Sequence, residues 1–203
     1  TGVQTCALPI SRIMSVDISG DSLHQAGQKV REAGLTNVTF EQADLFHLPY
    51  APDSFDHIFV CFVLEHLSQP VLALNVLKEC LRDGGTITVI EGDHGSAYFY
   101  PDSDAARRAI DCQVELQRRA GGNAMIGRAL YPLLREAGYR SVRVSPRMVY
   151  ADAGRPELVE GFTKKTFTAM IEGVGPSALG AGIIDAPSFG RGVRDLYRTA
   201  EPD

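Results

Sequence analysis

The stretch from Phe55 to Leu67 constrains the fold of this chain more than any other. It begins at a polar turn, continues through nearly unbroken apolar residues rich in β-branched and aromatic side chains, and ends in the charged pair Glu65-His66. Such a run is typical of a strand that is buried on both faces of a helix-covered parallel sheet. Ligands of open α/β sheets bind beyond the carboxyl ends of the strands. We therefore expect the chemistry of this protein between Phe62 and His66.

The segments around this stretch predict an α/β fold. Strands are predicted at 12–18, 38–44 and 86–91 in addition to the central one, and helices at 23–33 and 70–81. Strands that alternate with helices favour a doubly wound, mostly parallel sheet. Beyond residue 91 the pattern predicts helices at 105–119, 127–137, 157–172 and 193–200, a strand within 139–150, and a loop over the Gly-, Pro- and Ser-rich residues 175–192.

Composition narrows the classes of function. A net charge of −5 disfavours nucleic-acid binding through a broad basic surface. The sequence contains no apolar run long enough to span a membrane, so we expect no membrane partner. The cysteines at positions 6, 61, 80 and 112 form no C-x-x-C pair. The number and spacing of these cysteines favour buried, reduced thiols in a cytoplasmic protein over disulfides or a metal site. We therefore expect no metal.

Two aspartates follow neighbouring strands of the predicted sheet. Asp17 ends the first of these strands and Asp44 ends the second. In doubly wound sheets, an acid at such a position accepts hydrogen bonds from ribose hydroxyls, and a second acid can accept one from an adenine amine. A single Asp after a strand is more often a turn former or a helix cap. The pair in this order predicts a pocket for an adenosine moiety.

Four segments of the sequence carry a resemblance to a known family. They are Ser15-Val16-Asp17-Ile18-Ser19, Gln42-Ala43-Asp44-Leu45, the stretch 55–67 and Leu81-Arg82-Asp83-Gly84-Gly85-Thr86. In these segments the chain resembles the class I S-adenosylmethionine-dependent methyltransferases that act on small molecules. The resemblance extends from about residue 12 to residue 91 and is looser beyond. It implies a Rossmann-like fold, S-adenosylmethionine as the cofactor and a small-molecule methyl acceptor as the partner.

The resemblance also implies two groups of cofactor-binding residues. On the adenosine side, Asp17 would bind the ribose and Ile18 would pack on the adenine. Asp44, together with the backbone of Leu45, would bind the edge of the adenine. The residues that would line the methionine side are Phe62 and Val63.

One part of the family pattern is absent from this sequence. The family has an acid-x-Gly-x-Gly-x-Gly loop after its first strand, where glycine permits close approach of the backbone to the cofactor. That loop would precede Arg12, but residues 1–10 instead resemble a translated sequencing adapter. We therefore expect residues 1–11 to be a non-native leader and the first strand and the Gly-rich loop to be missing. We also expect the final antiparallel strand of the family to be missing.

The expected domain organisation follows from this comparison. Residues 12–203 would form a single methyltransferase domain, with a cofactor-binding half at 12–91 and a helical, acceptor-side region at 92–203. Because the Gly-rich cofactor loop would be lost, a fragment of this kind could be inactive even if the parent protein is an enzyme.

Methyl transfer requires a base only if the acceptor must lose a proton. Glu65, His66, Asp93 and His94 follow the two central strands and are the candidate catalytic residues. Each also has a simpler structural explanation. Glu65 and His66 could cap the following helix, and His94 could be solvated in its loop.

Two other functions are compatible with the same sequence. A nicotinamide-dependent oxidoreductase could use Asp17 for its own ribose, although Asp44 and the stretch Val63-Leu64-Glu65-His66-Leu67 disfavour that assignment. A non-catalytic cofactor-binding protein on the same fold is the second alternative. The sequence specifies neither the acceptor atom nor the oligomeric state.

Overall fold

The structure, a computed structural model, describes residues 11–201. The predictions for residues 1–10, including the leader and Cys6, lie outside this range. The strands are β1 (Ile13–Asp17), β2 (Val38–Gln42), β3 (Phe55–Cys61) and β4 (Leu81–Ile90). The helices are α1 (Gly20–Glu32), α2 (Pro70–Glu79), α3 (Asp104–Arg119), α4 (Leu130–Glu136), α5 (Pro156–Leu158), α6 (Ala169–Gly173), α7 (Gly175–Gly180) and α8 (Ala186–Arg198), with a π-helical segment at Val159–Thr168 between α5 and α6.

The strands form two parallel pairs, which agrees with the predicted α/β class. In the first pair, β1 and β2 are in register from Ile13 opposite Val38 to Asp17 opposite Gln42. The second sheet consists of β3 and β4. It has hydrogen bonds from Phe55 N to Cys80 O and from Phe62 N to Ile90 O, which run in the same order along both strands.

The chain divides into two compact units. Within the described range, the first unit comprises residues 11–57 and 72–86, and the second comprises 58–71 and 87–201. In the first unit, β1 and β2 carry helix α1, whose Leu23 is buried, and the apolar face of α2 buries Leu74 and Leu77. The predicted single domain from residue 12 to residue 203 stays a prediction.

The second unit has a core made by its helices. Residues of α3, α6, α7 and α8 form one buried apolar cluster that includes Ile110, Ile171 and Leu196. Helix α3 begins where Ser103 Oγ accepts a hydrogen bond from Ala106 N. Within residues 11–201, none of the helices combines the length and the apolar character that a membrane span requires.

The central strand is less buried than its sequence predicts. Only Val60 of β3 is buried, whereas Phe59 is 59% exposed and Cys61 is also exposed. In the part of the chain that the structure describes, β3 pairs with β4 alone and therefore behaves as an edge strand. The prediction of burial on both faces is wrong, and so is the prediction that Cys61 is a buried thiol. Cys80 and Cys112 are buried and free, as predicted.

Two predictions for the region after residue 138 are also wrong. No strand forms within 139–150, where Val144, Met148 and Tyr150 are exposed. Apolar alternation alone does not make a strand when no neighbouring strand supplies hydrogen bonds. The predicted loop over 175–192 instead contains α7 and most of α8.

Helix α8 starts early because its first turn is well capped. Asp185 Oδ1 accepts a hydrogen bond from Ser188 N, and Pro187 lies in the first turn, where a missing N–H is tolerated. The small residues that resembled a loop in the sequence therefore belong to a helix.

Candidate functional site

The first strand pair ends in the turn that carries Asp17. Ala43 N donates to Asp17 O over 3.2 Å, which keeps the carboxyl ends of β1 and β2 together. Asp17 Oδ1 accepts a hydrogen bond of 2.8 Å from Ser19 N, and Ser19 in turn caps α1. Ile18 is 70% exposed, and its carbonyl oxygen accepts a hydrogen bond from Gln42 Nε2. The turn therefore presents one carboxylate and one exposed apolar side chain at this edge.

Asp44 follows β2 at the same edge. Its Oδ1 accepts a hydrogen bond of 2.9 Å from Phe46 N, and its Oδ2 lies 3.0 Å from His47 Nδ1. The backbone hydrogen bond from Phe46, followed by the contact with His47, lowers the pKa of Asp44. Asp44 thereby caps the short 3₁₀ turn that begins at Leu45, which is half-buried. The structure brings the adenosine-side candidates of the first unit to one edge of a parallel strand pair.

In the second unit, β3 leads into a turn with unusual backbone geometry. Phe62 adopts a φ of 53°, in the left-handed region that non-glycine residues rarely occupy, and its side chain is 52% exposed. Phe62 N donates to Ile90 O over 2.9 Å. Val63 follows, half-buried, and precedes the 3₁₀ turn Leu64–His66. These are the two residues that were predicted to line the methionine side.

Glu91 organises this turn, although the sequence did not single it out as a site residue. Its Oε1 accepts hydrogen bonds from Val63 N at 3.0 Å and Leu64 N at 2.9 Å, and its Oε2 accepts one from Glu65 N at 3.2 Å. Burial raises the pKa of Glu91, although the three amide donors oppose this shift. The only signal in the sequence was an acid that ends a predicted strand, which is also the signal that marked Asp17 and Asp44.

Glu65 lies between the two candidate histidines. Its carboxylate is buried, with Oε1 3.3 Å from His66 Nε2 and Oε2 3.6 Å from His94 Nε2. Oε2 has no hydrogen-bond partner among the described residues. The carbonyl oxygen of Glu65 accepts hydrogen bonds of 2.8 Å from Gln117 Nε2 and from Asn123 N. The backbone of Glu65 is thus held from α3 and from the loop that follows it.

Asp93 is engaged by an arginine. Arg128 Nε and one of its terminal nitrogens donate to the two oxygens of Asp93 over 2.8 and 2.7 Å. These hydrogen bonds lower the pKa of Asp93. His94, the next residue, donates its backbone N–H to Ala124 O, and its side chain is largely buried. His94 is therefore not a solvated loop residue, which was the simpler explanation of its presence.

The four catalytic candidates occupy one region of the second unit. Glu65 contacts both histidines, and Asp93 anchors the loop that carries His94. Within residues 11–201, no cluster of His, Cys, Asp and Glu has the geometry of a metal site. The region can orient an imidazole against a buried carboxylate, which is the arrangement of a proton acceptor with its orienting group.

Comparison with known proteins finds similarity to methyltransferases. A profile described as a methyltransferase domain matches residues 1–89. An uncharacterized 37.1 kDa protein in transposon TN4556 of Streptomyces fradiae is 30% identical over 171 residues, which are 83% of this chain and 48% of that protein. The ubiquinone/menaquinone biosynthesis C-methyltransferase UbiE of Bdellovibrio bacteriovorus is 37% identical over 79 residues, covering 39% of this chain and 33% of that enzyme. The chain thus spans half or less of the length of these relatives.

A solved structure supports the fold over nearly the whole chain. The [4+2]-cyclase SpnF superposes with a TM-score of 0.51 and 21% identity, covering 93% of this chain and 62% of that protein. At this identity, the likeness concerns the fold and not the reaction.

Proposed function

We propose that this chain is a class I S-adenosylmethionine-dependent methyltransferase, which transfers the methyl group of S-adenosylmethionine to a small-molecule acceptor. The observation that carries this proposal is the pair of carboxylates at the carboxyl ends of two neighbouring parallel strands, Asp17 and Asp44. The methyltransferase profile covers both residues.

The residues of the first unit fit an adenosine group. Asp17 uses Oδ1 to hold Ser19 N, while its Oδ2 has no protein partner among the described residues and can accept from a ribose hydroxyl. The exposed side chain of Ile18 offers an apolar surface for the adenine. Asp44 and the backbone of Leu45 complete this side in the proposal.

The residues of the second unit fit the methionine group and the acceptor. Phe62 and Val63 lie on the turn after β3, and Phe62 exposes its ring. When bound, S-adenosylmethionine supplies an electrophilic methyl group. The protein then needs to align the acceptor with it, and orientation of this kind can contribute up to roughly 7–11 kcal/mol in favourable cases.

For an acceptor that must lose a proton, His94 is the proposed base. Glu65, whose Oε2 lies 3.6 Å from His94 Nε2, would orient the imidazole and stabilise its protonated form. His66, on the other oxygen of Glu65, is the alternative base. Asp93 would act indirectly in this scheme, because its ion pair with Arg128 anchors the loop of His94.

The acceptor class and the location of the protein belong to the same proposal. The net charge of −5 supports a small molecule over nucleic acid. The free cysteines at 61, 80 and 112 support a cytoplasmic location.

Transfer of a labelled methyl group tests the proposal. The chain would be incubated with S-adenosylmethionine that carries a tritiated methyl group and with a panel of quinols, phenols and amines. We expect label in one class of extractable product and its loss in Asp17→Ala. Spectral detection of bound nicotinamide, with no methyl transfer, would contradict the proposal in favour of an oxidoreductase.

A further inference from the structure

The turn that follows β3 is costly to form. Phe62 has a φ of 53°, which is strained for a residue other than glycine. Such a conformation persists only when the surrounding structure holds it in place. One of its supports is the hydrogen bond from Phe62 N to Ile90 O. This bond fixes the start of the turn but leaves the next three amides to be satisfied elsewhere.

The Glu91 side chain satisfies all three of these amides. Val63 N and Leu64 N share Oε1, and Glu65 N binds Oε2. Hydrogen bonds to an ionised carboxylate are stronger than those between neutral groups. Glu91 directly follows Ile90, the last residue of β4, so these two consecutive residues together accept hydrogen bonds from every amide from Phe62 to Glu65.

The position of Glu91 is unfavourable for a carboxylate apart from these contacts. The side chain is partly buried, and it also lies near the charge of Glu65, which disfavours its ionised form. The adjacent Gly92 lies close to the buried Glu65 carboxylate, because a Cβ there would lie 3.0 Å from Glu65 Oε2. A carboxylate kept in such surroundings is best explained by the amides that it binds.

We propose that Glu91 is a positioning residue, which holds the turn Phe62–Glu65 in the shape that the methionine end of the cofactor requires. This inference rests on the proposed function, because it assigns Phe62 and Val63 to the cofactor. Among residues 11–201, the Glu91 side chain accepts hydrogen bonds only from protein amides, so it acts through the backbone of the turn.

Hydrogen exchange tests the local part of this role without any ligand. The variants are Glu91→Gln, which keeps the size but loses the charge and one acceptor, and Glu91→Ala, which removes all three hydrogen bonds. We expect the amides of residues 63–65 to exchange at least about tenfold faster in Glu91→Ala, since each lost bond to a charged group is worth about 1.5–3 kcal/mol. Glu91→Gln should lie between the two, and it keeps the test valid if the alanine variant fails to fold.

Two ligands test the part of the role that concerns the cofactor. Binding of S-adenosylhomocysteine and of adenosine would be measured by calorimetry for the chain and for Glu91→Gln. We expect Glu91→Gln to lower the affinity for S-adenosylhomocysteine by roughly tenfold. The affinity for adenosine should stay unchanged, because adenosine lacks the methionine group. Asp17→Asn should weaken both ligands. Glu115→Gln is the control and should change the affinity for neither ligand; Glu115 is a half-buried acid on α3 that pairs with Arg118 and Arg119.

The remaining outcomes would overturn the inference in distinct ways. Unchanged exchange at residues 63–65 would show that Glu91 does not hold the turn. If exchange at residues 63–65 is faster but the ratio of the affinities for S-adenosylhomocysteine and adenosine is unchanged, Glu91 has a purely structural role. If the unaltered chain binds neither ligand, the proposed function itself fails and the cofactor part of this role with it, while exchange still decides whether Glu91 holds the turn.

Discussion

At the scale of single residues, three acids follow strands in this chain, and all three bind backbone amides. Asp17 and Asp44 each accept from the amide two residues later, so their contacts are local. Glu91 instead reaches amides that lie 26 to 28 residues earlier. The first two form turns that any sheet could use, whereas the third ties two strand ends together. We therefore expect loss of Glu91 to destabilise the turn at residues 63–65 as well as its own loop.

The ion pair of Asp93 with Arg128 predicts a dependence of stability on pH. Arg128 lowers the pKa of Asp93 in the folded chain. A carboxyl group with a lowered folded pKa stabilises the fold above its unfolded pKa, and this contribution is lost as the pH falls through the folded value. We expect the free energy of unfolding, measured by urea denaturation, to decrease when the pH is lowered below about 4. In Asp93→Asn this decrease should be smaller by about 0.5–1 kcal/mol, because the variant has no carboxylate to protonate at this position.

Asp152→Asn is a suitable control for this experiment. Asp152 lies 3.9 Å from Arg155, and both side chains are exposed. Its replacement should leave the pH profile of the unaltered chain unchanged. An Asp93→Asn profile that coincides with that of the unaltered chain would show that the ion pair adds nothing to stability.

At the scale of secondary structure, the packing of α3 on α8 depends on a glycine. A Cβ at Gly192 would overlap the carbonyl oxygen of Ala105 and would lie 2.8 Å from the Cβ of Ala109. We expect Gly192→Ala to lower the free energy of unfolding by about 1–3 kcal/mol, because the two helices would have to separate. Chemical denaturation of the purified variant measures this change.

Gly190→Ala provides a matched control in the same helix. A Cβ at this position would meet only the end of the flexible Arg194 side chain, at 3.4 Å. Since alanine favours helix more than glycine does, this variant should be as stable as the unaltered chain or more stable by up to about 1 kcal/mol. Equal losses in the two variants would contradict the close approach of the two helices.

The same helix pair shows what the sequence could and could not predict. Helix α3 was predicted almost to its bounds, since its apolar spacing and the Ser103 cap are local signals. Most of α8 was predicted as a loop, because Gly192 and its small neighbours suggest flexibility when read alone. In the structure, the absence of a side chain at Gly192 is what permits contact with α3. That reason lies in the partner helix and is invisible to local composition.

The strands show the converse error. The apolar stretch around Phe59 predicted burial on both faces, and the alternation at 139–150 predicted a strand. A strand does form around Phe59, but none forms within 139–150. Both predictions assumed neighbouring strands that the described residues do not supply. Burial and strand pairing are properties of the sheet, and a single segment determines neither.

At the scale of the whole molecule, each compact unit carries its own group of proposed residues. Asp17 and Asp44 belong to the first, and Phe62, Val63 and Glu91 belong to the second. The order of strands and acids in the sequence was enough to predict the class of fold and the similarity to a methyltransferase domain over residues 1–89. It was also enough to name both histidines that contact Glu65. Glu91 was missed as a site residue because its amide partners are distant in sequence and only folding brings them together.

Calorimetric titration of the chain with S-adenosylhomocysteine tests the central claim most directly, with nicotinamide adenine dinucleotide as the competing ligand. The account predicts saturable binding of S-adenosylhomocysteine at one site per chain, weakened about tenfold in Asp17→Asn through the lost charged hydrogen bond, and no binding of the dinucleotide. Binding of the dinucleotide without binding of S-adenosylhomocysteine would contradict the account. Asp17 would then be assigned to the ribose of the dinucleotide.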